Sequence, residues 1–298
     1  MPLSPSPGPL FIGIDGGGTR CRARLADAGG ATLAEGVGGA ANIRLGLDVA
    51  WSAIMVAVDA ALAAAGMGRE PLAGAFIGLG LAGITGDADR QRVTATAPVT
   101  FAGILSDTDA FTACLGAHAG ADGAILISGT GSAAQIITGG QGRGIGGWGF
   151  EVSDDGSGAA LGREAVRAAL RGHDGLGPET AMTRAIMERL GGDPPAIVAW
   201  VGTARPGDYG ALVPLVLDHA RQGDGVAARL VREQADHLVN HIVRLRALDA
   251  PAICLMGGLA PVLLEWMPPW VNGVLSAPKG DAMAGAILLA MRHPEVAR

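Results

Sequence analysis

The stretch LFIGIDGGGTR, residues 10–20, decides the fold. Its apolar residues 10–14 predict a buried strand, and the glycines that follow predict a tight turn back into a second strand. Because glycine lacks a Cβ, backbone N–H groups can approach an anion closely at this turn. Thr19 adds a hydroxyl, and Asp15 adds a carboxylate where phosphate oxygens and Mg²⁺ would meet. The pattern favours phosphate binding over a plain hairpin. The glycines of the turn are Gly16, Gly17 and Gly18.

Around this turn the chain predicts a βββαβαβα unit. Alternating apolar and polar residues indicate strands, and apolar residues at helical spacing indicate helices. The predicted strands are 10–15, 21–27, 31–36, 73–83 and 99–105, and the predicted helices are 48–65, a polar segment from Asp87, and 109–118. This alternation predicts an α/β protein whose mixed sheet is covered by helices on both faces.

A second unit begins at Gly123 and repeats the opening pattern. Its first strand leads into SGTGS, residues 128–132, which is another turn of hydroxyl residues and glycines. Two such turns at the same point of duplicated units would face each other across a cleft and bind one polyphosphate. The elements after this turn are two strand-like pieces, a helical region over 158–248, a strand at 252–258, a helix, a weak strand near Val274 and a terminal helix over 281–291.

The composition excludes several classes of protein. Hydrophobic residues make up 49% of the chain and charged residues 17%, which excludes a disordered polyelectrolyte. The net charge of −6 and the lack of any Lys/Arg run argue against binding to nucleic acid or to anionic membranes. Lys279 is the only lysine and lies outside any GxxxxGK[ST] loop, so a P-loop NTPase is excluded.

The sequence carries no signal for export or for membrane insertion. The three cysteines are far apart and form no CxxC motif, so we expect a reducing cytoplasm and neither a disulfide framework nor a zinc site. We expect no membrane span, because the best apolar candidates are interrupted by Asp59 and Asp281. Residues 1–9 contain four prolines and no apolar core, so they predict a disordered leader and not a signal peptide.

Three motifs together resemble a known superfamily. DGGGT at 15–19, ISGTGS at 127–132 and LMGGL at 255–259 resemble the phosphate-1, phosphate-2 and adenosine motifs of the actin, Hsp70 and sugar kinase superfamily. The segments ANIRLG, SDTDA, LISGTGS, GGWGF and DDGSGAALG, in that order, resemble the glucosamine kinase and N-acetylglucosamine kinase branch. The resemblance implies two actin-like, ribonuclease H-like lobes. The implied lobes are residues 10–117 with 281–298, and residues 118–280.

The resemblance implies that Asp109 is the catalytic base. A carboxylate at the mouth of a strand, before a helix N-terminus, can accept a proton from a sugar hydroxyl. Asp107 is the alternative, since residues two apart on a strand share a face and spacing does not choose between them. Helix capping is the structural explanation for either residue.

The same resemblance implies the other site residues. The expected sugar-binding residues are Asn42, Asp107, Asp109, Trp148 and Asp154. The expected ATP-binding residues are Asp15, Gly16, Gly17, Gly18, Thr19, Thr130, Gly131, Ser132, Gly257, Gly258 and Leu259. Asp15 is expected to contact Mg²⁺ through water. Structural alternatives are a turn role for Asn42, a core position for Trp148 and a tight strand-to-helix turn at 257–259.

The expected function is therefore an ATP- and Mg²⁺-dependent kinase of an amino sugar, with glucosamine favoured over N-acetylglucosamine. The expected partner is a small-molecule amino sugar, without nucleic acid or membrane partners, and a homodimer is left open. Two alternatives remain. One is an activator ATPase of the 2-hydroxyacyl-CoA dehydratase or benzoyl-CoA reductase type, which needs cysteines for an iron–sulfur cluster. The other is a sugar-sensing protein on the kinase fold.

Overall fold

The computed structural model describes residues 8–296, and these residues form two compact units. Unit 1 comprises 8–124, 135–142 and 277–296, and unit 2 comprises Ile125–Ala134 and Arg143–Ser276. The predicted lobe boundaries at 117/118 and 280/281 follow the repeat in the sequence and stay a prediction. Residues 1–7 of the predicted leader lie outside the described residues.

Strands and helices alternate as an α/β fold requires. The strands are β1 Phe11–Gly16, β2 Cys21–Ala26, β3 Thr32–Gly38, β4 Phe76–Leu81, β5 Gly103–Thr108, β6 Gly123–Ser128, β7 Ser132–Thr138, β8 Gln141–Gly146 and β9 Ile253–Met256. The helices are α1 Leu47–Ala64, α2 Asp87–Ala95, α3 Asp109–Ala117, α4 Gly158–His173, α5 Ala181–Arg189, α6 Pro194–Val201, α7 Pro206–Gly210, α8 Val213–Arg221, α9 Gly225–Arg246, α10 Ala260–Leu264 and α11 Ala282–Met291. The predicted βββαβαβα order of the first unit is confirmed.

The sheet of unit 1 has the order β3-β2-β1-β4-β5. Strand β1 pairs with β2 in the antiparallel sense and with β4 in the parallel sense, and β4 and β5 are also parallel. The carboxyl ends of β1, β4 and β5 therefore lie along one edge of the sheet. In open α/β sheets, ligands bind outside the carboxyl ends of the strands.

Glycines let helix α11 pack closely on this sheet. A Cβ at Gly13 on β1 would overlap the carbonyl oxygen of Met283, and a Cβ at Gly78 on β4 would overlap that of Ala286. Both partners belong to α11, so any side chain at these strand positions would push the helix away from the sheet. The terminal helix is thus built into the core of unit 1, next to α3.

Helix α1 covers the β2 and β3 side of the same sheet. It is 18 residues long and apolar enough to cross a membrane by length and composition, although it contains Asp59, which the sequence analysis took as an interruption. Half of it is buried inside the protein, and residues such as Ile54 and Val58 are fully buried in the unit 1 core. This burial is typical of a core helix.

The second sheet has the order β8-β7-β6-β9, and helices α4 to α10 belong to unit 2. The prediction of a strand near Val274 is wrong, because Leu275 forms only an isolated bridge with Ile253. Strand β5 also begins later and ends later than the predicted 99–105. Val99 precedes the strand, whereas Asp107 and Thr108 belong to it. The Asp107 carboxylate therefore lies at the end of β5, immediately before the start of α3.

Candidate active site

Three carboxylates lie at the carboxyl edge of the unit 1 sheet. Asp15 on β1 and Asp107 on β5 are both in register with Gly80 on β4, so their backbones are two strand spacings, roughly 10 Å, apart. Asp109 is the first residue of α3. A Cβ at Gly80 would overlap Thr112 of α3, so glycine allows this helix to lie directly against the strand. The fold thus brings together the three acids that the sequence analysis singled out.

The two candidate bases differ in their partners. Asp107 Oδ1 accepts hydrogen bonds from Arg90 Nη2 at 3.0 Å and from the Thr108 N–H at 2.7 Å. Asp109 Oδ1 accepts a hydrogen bond from the Ala110 N–H at 2.8 Å, and no cation among residues 8–296 pairs with it. Asp107 is therefore already compensated by a guanidinium, whereas the Asp109 carboxylate has a backbone N–H donor and no cationic partner within the described residues.

The surroundings of Asp109 favour proton acceptance. Burial raises the pKa of Asp109, the Ala110 N–H partly offsets this effect, and the negative charge of Asp15 raises the pKa further. A carboxylate with a raised pKa is a better proton acceptor, because general-base efficiency grows as its pKa approaches the working pH. The same shift makes ionised Asp109 unfavourable for folding above its pKa, a cost that protonation relieves.

The phosphate-1 turn is a tight hairpin with an open tip. The Gly17 N–H donates to the Arg20 carbonyl at 3.0 Å, and Gly18 at the tip is exposed. Gly16 is buried, and a Cβ there would lie 2.5 Å from Leu81 Cδ2. None of the three glycines has a positive φ, so conformational freedom is not what this turn requires of them. Gly16 is needed for packing, while Gly18 leaves space for a ligand.

Asp15 carries an ion pair that the sequence analysis missed. Arg22 lies opposite it across the hairpin and donates to Asp15 Oδ2 from Nη2 at 2.7 Å and from Nε at 3.1 Å. Oδ1 remains available, and the exposed Thr19 hydroxyl lies on the adjoining turn. Within the described residues no group of three or more His, Cys, Asp or Glu could hold a metal ion. A single carboxylate fits the predicted contact with a Mg²⁺ ion that keeps its water ligands.

Asn42 lies beside the phosphate-1 turn. Its neighbour Ala41 donates its N–H to the Gly17 carbonyl at 3.0 Å, which ties the two segments together. Asn42 Oδ1 accepts a hydrogen bond from the Arg44 N–H at 2.9 Å, as the structural alternative of a turn residue requires. The Nδ2 group has no protein partner among residues 8–296, so its two N–H donors are not used within the described protein, and the sugar-binding role of Asn42 stays a prediction.

In unit 2, the phosphate-2 turn is held by the first turn of α4. The Gly129 N–H donates to the Gly131 carbonyl at 2.9 Å and closes the turn. The N–H groups of Gly158 and Ala159 donate to the carbonyls of Gly129 and Thr130 at 2.8 and 3.1 Å. The start of α4 is therefore used to fix the shape of the turn.

Two serines of this turn have structural partners. Ser128 Oγ donates to the Gly156 carbonyl, and Ser132 Oγ donates to the Asp155 carbonyl, both at 2.6 Å. Thr130 lies between them and is exposed. Its side chain is therefore the hydroxyl of this turn that is available to a phosphate.

The predicted adenosine motif meets the same turn. Gly257 has a φ of 99°, and a Cβ there would overlap the Ser128 carbonyl oxygen. The Leu259 N–H donates to that oxygen at 3.0 Å, while Gly258 faces open space. The connection from β9 to α10 thus packs against the start of the phosphate-2 turn, as a contribution to one nucleotide site requires.

Asp154 also reaches the phosphate-2 turn. It has a φ of 65°, and its Oδ2 lies 2.8 Å from the position that a Cβ on Gly131 would occupy. Burial raises the pKa of Asp154, an N–H of Gly149 partly offsets this, and the charges of Glu151 and Asp155 raise the pKa further. Its negative charge is thus weakly compensated, as suits an acceptor for a polar or cationic group of a substrate.

Trp148 is exposed rather than a core residue, with 78% of its surface accessible. Its segment is anchored two residues later. Arg163 Nη1 donates to the Phe150 carbonyl at 3.0 Å, and the Arg163 guanidinium lies 5.1 Å from the centre of the Phe150 ring. Phe150 in turn packs on Tyr209, with ring centres 5.0 Å apart. The ring of Trp148 is therefore held on the surface by an anchor that the sequence did not reveal.

Known proteins are similar to this chain over most of its length. Residues 12–290 match the sequence profile of the BadF/BadG/BcrA/BcrD ATPase family. The chain belongs to this family. The predicted resemblance to the sugar kinase and actin-like superfamily is confirmed, and so is the predicted α/β fold class.

Three relatives of this BadF/BadG/BcrA/BcrD family member cover 80% or more of its length. Glucosamine kinase GspK of Vibrio cholerae is 37% identical over 94% of this chain and 95% of its own length. N-acetyl-D-glucosamine kinase of Dictyostelium discoideum is 26% identical over 80% of this chain and 81% of its own. A solved structure from Chromobacterium violaceum, described as a candidate N-acetylglucosamine kinase, is 37% identical, has a TM-score of 0.85, and covers 95% of this chain and 99% of the other.

The residues that sequence reasoning missed are the arginines. Arg22, Arg90 and Arg163 each hold a residue that lies on a different element or on a paired strand. Only Arg22 had a signal in the sequence, because the hairpin turn sets its register against Asp15. The other two depend on tertiary packing and have no local pattern.

Proposed function

We propose that this chain is an ATP-dependent kinase that phosphorylates the 6-hydroxyl of an amino sugar, with glucosamine as the preferred substrate. Membership of an ATPase family supports the use of ATP. Similarity to a glucosamine kinase and to an N-acetyl-D-glucosamine kinase supports the amino-sugar acceptor. The observation that carries the proposal is the cation-free, half-buried carboxylate of Asp109, on the sheet edge that also bears Asp15 and the phosphate-1 turn.

Each unit has its own task in this reaction. In unit 1, Asp109 accepts the proton of the sugar 6-hydroxyl while the 6-oxygen of the sugar attacks the γ-phosphorus of ATP. The bond between that phosphorus and the oxygen of the β-phosphate breaks, which releases ADP. Asp107 Oδ2 and Asn42 Nδ2 hold other polar groups of the sugar. In unit 2, backbone N–H groups and Thr130 contact the phosphates. Mg²⁺, when bound, neutralises charge on the β- and γ-phosphates.

Most of the acceleration would come from positioning and charge stabilisation. The general base contributes about 10²- to 10⁴-fold. Asp109 suits that contribution because its carboxylate is fixed at the helix start by the Ala110 N–H and carries a raised pKa.

The choice of glucosamine rests on charge. Its amine is partly an ammonium at neutral pH, and a cation is favoured by nearby carboxylates. The segment that carries Trp148 also carries Glu151, Asp154 and Asp155, and the first and last of these raise the pKa of Asp154. An ammonium group near Asp154 would relieve this repulsion. N-acetylglucosamine, whose acetyl group carries no charge, is the runner-up.

The activator-ATPase alternative is less well supported by the described residues. Cys21, Cys114 and Cys254 are all buried. Burial, together with the charge of Asp15, raises the pKa of the Cys21 thiol to about 12. Since the thiolate is the form that binds iron, these surroundings disfavour Cys21 as a cluster ligand. We place the kinase in the cytoplasm, where such thiols stay reduced.

A coupled ADP-release assay tests the proposal. Mg²⁺-ATP is supplied with glucose, glucosamine, N-acetylglucosamine or N-acetylmannosamine, and kcat/KM is measured for each sugar. We expect the highest value with glucosamine. A tenfold preference for N-acetylglucosamine would overturn the choice of substrate alone. If no sugar increases ADP release, the kinase proposal itself is wrong.

A further inference from the structure

Arg90 on α2 links two acids that play very different structural roles. Its Nη2 donates to Asp107 Oδ1 at 3.0 Å, and its Nη1 donates to Asp87 Oδ1 at 2.8 Å. The Asp107 side chain is 19% exposed, whereas that of Asp87 is 89% exposed. Exposed pairs on one helix contribute little free energy, so the partly buried contact to Asp107 is the one with consequences.

The contact leaves one oxygen of Asp107 in a fixed position. Asp107 Oδ1 accepts hydrogen bonds from Arg90 Nη2 and, at 2.7 Å, from the Thr108 N–H, and these two donors fix the orientation of the carboxylate. Oδ2 has no protein hydrogen bond within residues 8–296. A carboxylate that is locked through one oxygen presents the other as a directed acceptor, which is the geometry needed to recognise a hydroxyl.

Two arginines pair with acids at the carboxyl edge of the unit 1 sheet. The acids at this edge are Asp15 from β1, Asp107 from β5 and Asp109 from α3, and the exposed Asp87 of α2 is linked to Asp107 through Arg90. Arg22 compensates Asp15, and Arg90 compensates Asp107, so Asp109 is the acid of this edge that has no cationic partner among residues 8–296. Without Arg90, a second uncompensated carboxylate would lie two residues from the base.

We propose that Arg90 is a positioning residue of the sugar site: it locks Asp107 through Oδ1, so that Oδ2 accepts a sugar hydroxyl while proton acceptance is left to Asp109. The proposal rests on the proposed kinase function. It assigns Asp107 to sugar binding, and it explains why two acids so close in sequence take different roles.

The test compares Arg90→Met with Arg90→Lys and with the control Arg92→Met. Arg92 lies on the same helix, its side chain is 65% exposed, and within residues 8–296 it pairs only with Asp89, at 3.5 Å. Loss of a hydrogen bond to a charged group corresponds to a KM increase of roughly tenfold or more for the sugar. For Arg90→Met we expect this increase with less than about a twofold change in the KM for ATP. Arg90→Lys should recover part of the loss, and Arg92→Met should match the wild type.

The outcomes separate this inference from the proposed function. If the wild type phosphorylates an amino sugar and Arg90→Met has the sugar KM of Arg92→Met, the role of Arg90 is refuted and the kinase stands. If the wild type shows no sugar-dependent ADP release, the kinase proposal fails first. Should Arg90→Met not fold, Arg90→Gln takes its place: a raised sugar KM with near-normal kcat supports the inference, and a sugar KM equal to that of Arg92→Met refutes it.

Discussion

The candidate site of unit 1 consists mainly of side-chain groups, whereas that of unit 2 consists mainly of backbone groups. At the carboxyl edge of the unit 1 sheet the functional groups are side-chain carboxylates, and arginines from β2 and α2 decide which of them keeps its charge. Around the phosphate-2 turn of unit 2 the structure is built mainly from backbone, whose shape is fixed by N–H···O=C hydrogen bonds, by serine hydroxyls and by the positive φ of Gly257.

The difference matches two separate requirements of the proposed phosphoryl transfer, which are proton acceptance and phosphate binding. Proton acceptance requires a charge whose surroundings can be tuned, and side chains provide that. Phosphate binding requires many donors in a fixed shape, and backbone provides that. Substitutions of the unit 1 carboxylates should therefore alter chemistry more than folding, and substitutions at the glycines that shape the phosphate-2 turn of unit 2 should alter folding and nucleotide affinity together.

The largest effect is expected in unit 1 for Asp109→Asn. The amide keeps the shape of the carboxylate but cannot accept the hydroxyl proton, so kcat should fall by about 10²- to 10⁴-fold. ADP affinity, measured by calorimetry, should stay near that of the wild type. If Asp107→Asn is the crippled variant and Asp109→Asn is nearly normal, the assignment of the base is wrong.

In unit 2, Gly257→Ala should destabilise the fold. A Cβ there meets the Ser128 carbonyl and forces a non-glycine residue to a φ of 99°, so we expect a loss of about 2 kcal/mol or more of unfolding free energy. ADP affinity should fall with it. Gly258→Ala is the matched control for stability, because a Cβ at that position meets nothing within 4 Å. Equal melting temperatures for the two variants would refute the role given to Gly257.

Gly17→Val probes whether the phosphate-1 turn binds phosphate. Its Cβ would lie 3.4 Å from the Arg20 oxygen, an ordinary contact, and its φ is not positive, so the fold should tolerate the change. We expect roughly tenfold weaker ADP binding, because backbone approach to the anion is obstructed. Gly74→Val, at another open position of unit 1, is the control. Unchanged ADP affinity would mean that the turn is only a hairpin.

The smallest effect concerns stability and pH. The pKa of Asp109 is raised in the folded state, so its ionised form disfavours folding above that pKa and the cost disappears as the pH falls through it. Asp109→Asn should therefore melt at an equal or higher temperature than the wild type at pH 7, and the advantage should shrink at acidic pH. A variant that is less stable at pH 7 would show that the carboxylate has a stabilising partner.

The sequence predicted the fold of unit 1 because its signals are local. LFIGID, CRARLAD and the glycine turn each specify a strand or a turn by themselves, and the order of elements followed from them. The prediction of a strand near Val274 is wrong because a short apolar stretch does not show whether a neighbouring strand will pair with it.

The candidate site was predictable in its acids and glycines but not in its electrostatics. Asp15, Asp107 and Asp109 could be found from motifs, whereas spacing alone left the last two equivalent. What distinguishes them is Arg90, which comes from α2, 17 residues earlier, and no periodicity indicates that contact. The structural roles of Ser128 and Ser132 were hidden for the same reason, since their acceptors lie in the segment before α4.

One ³¹P NMR spectrum tests the central claim most directly. The purified wild-type protein is mixed with Mg²⁺-ATP and glucosamine, and the phosphorus-containing products are identified after partial turnover. The account predicts ADP and a glucosamine 6-phosphate ester in equal amounts, with neither formed at that rate by Asp109→Asn. Conversion of ATP to ADP and inorganic phosphate without a sugar ester would contradict it.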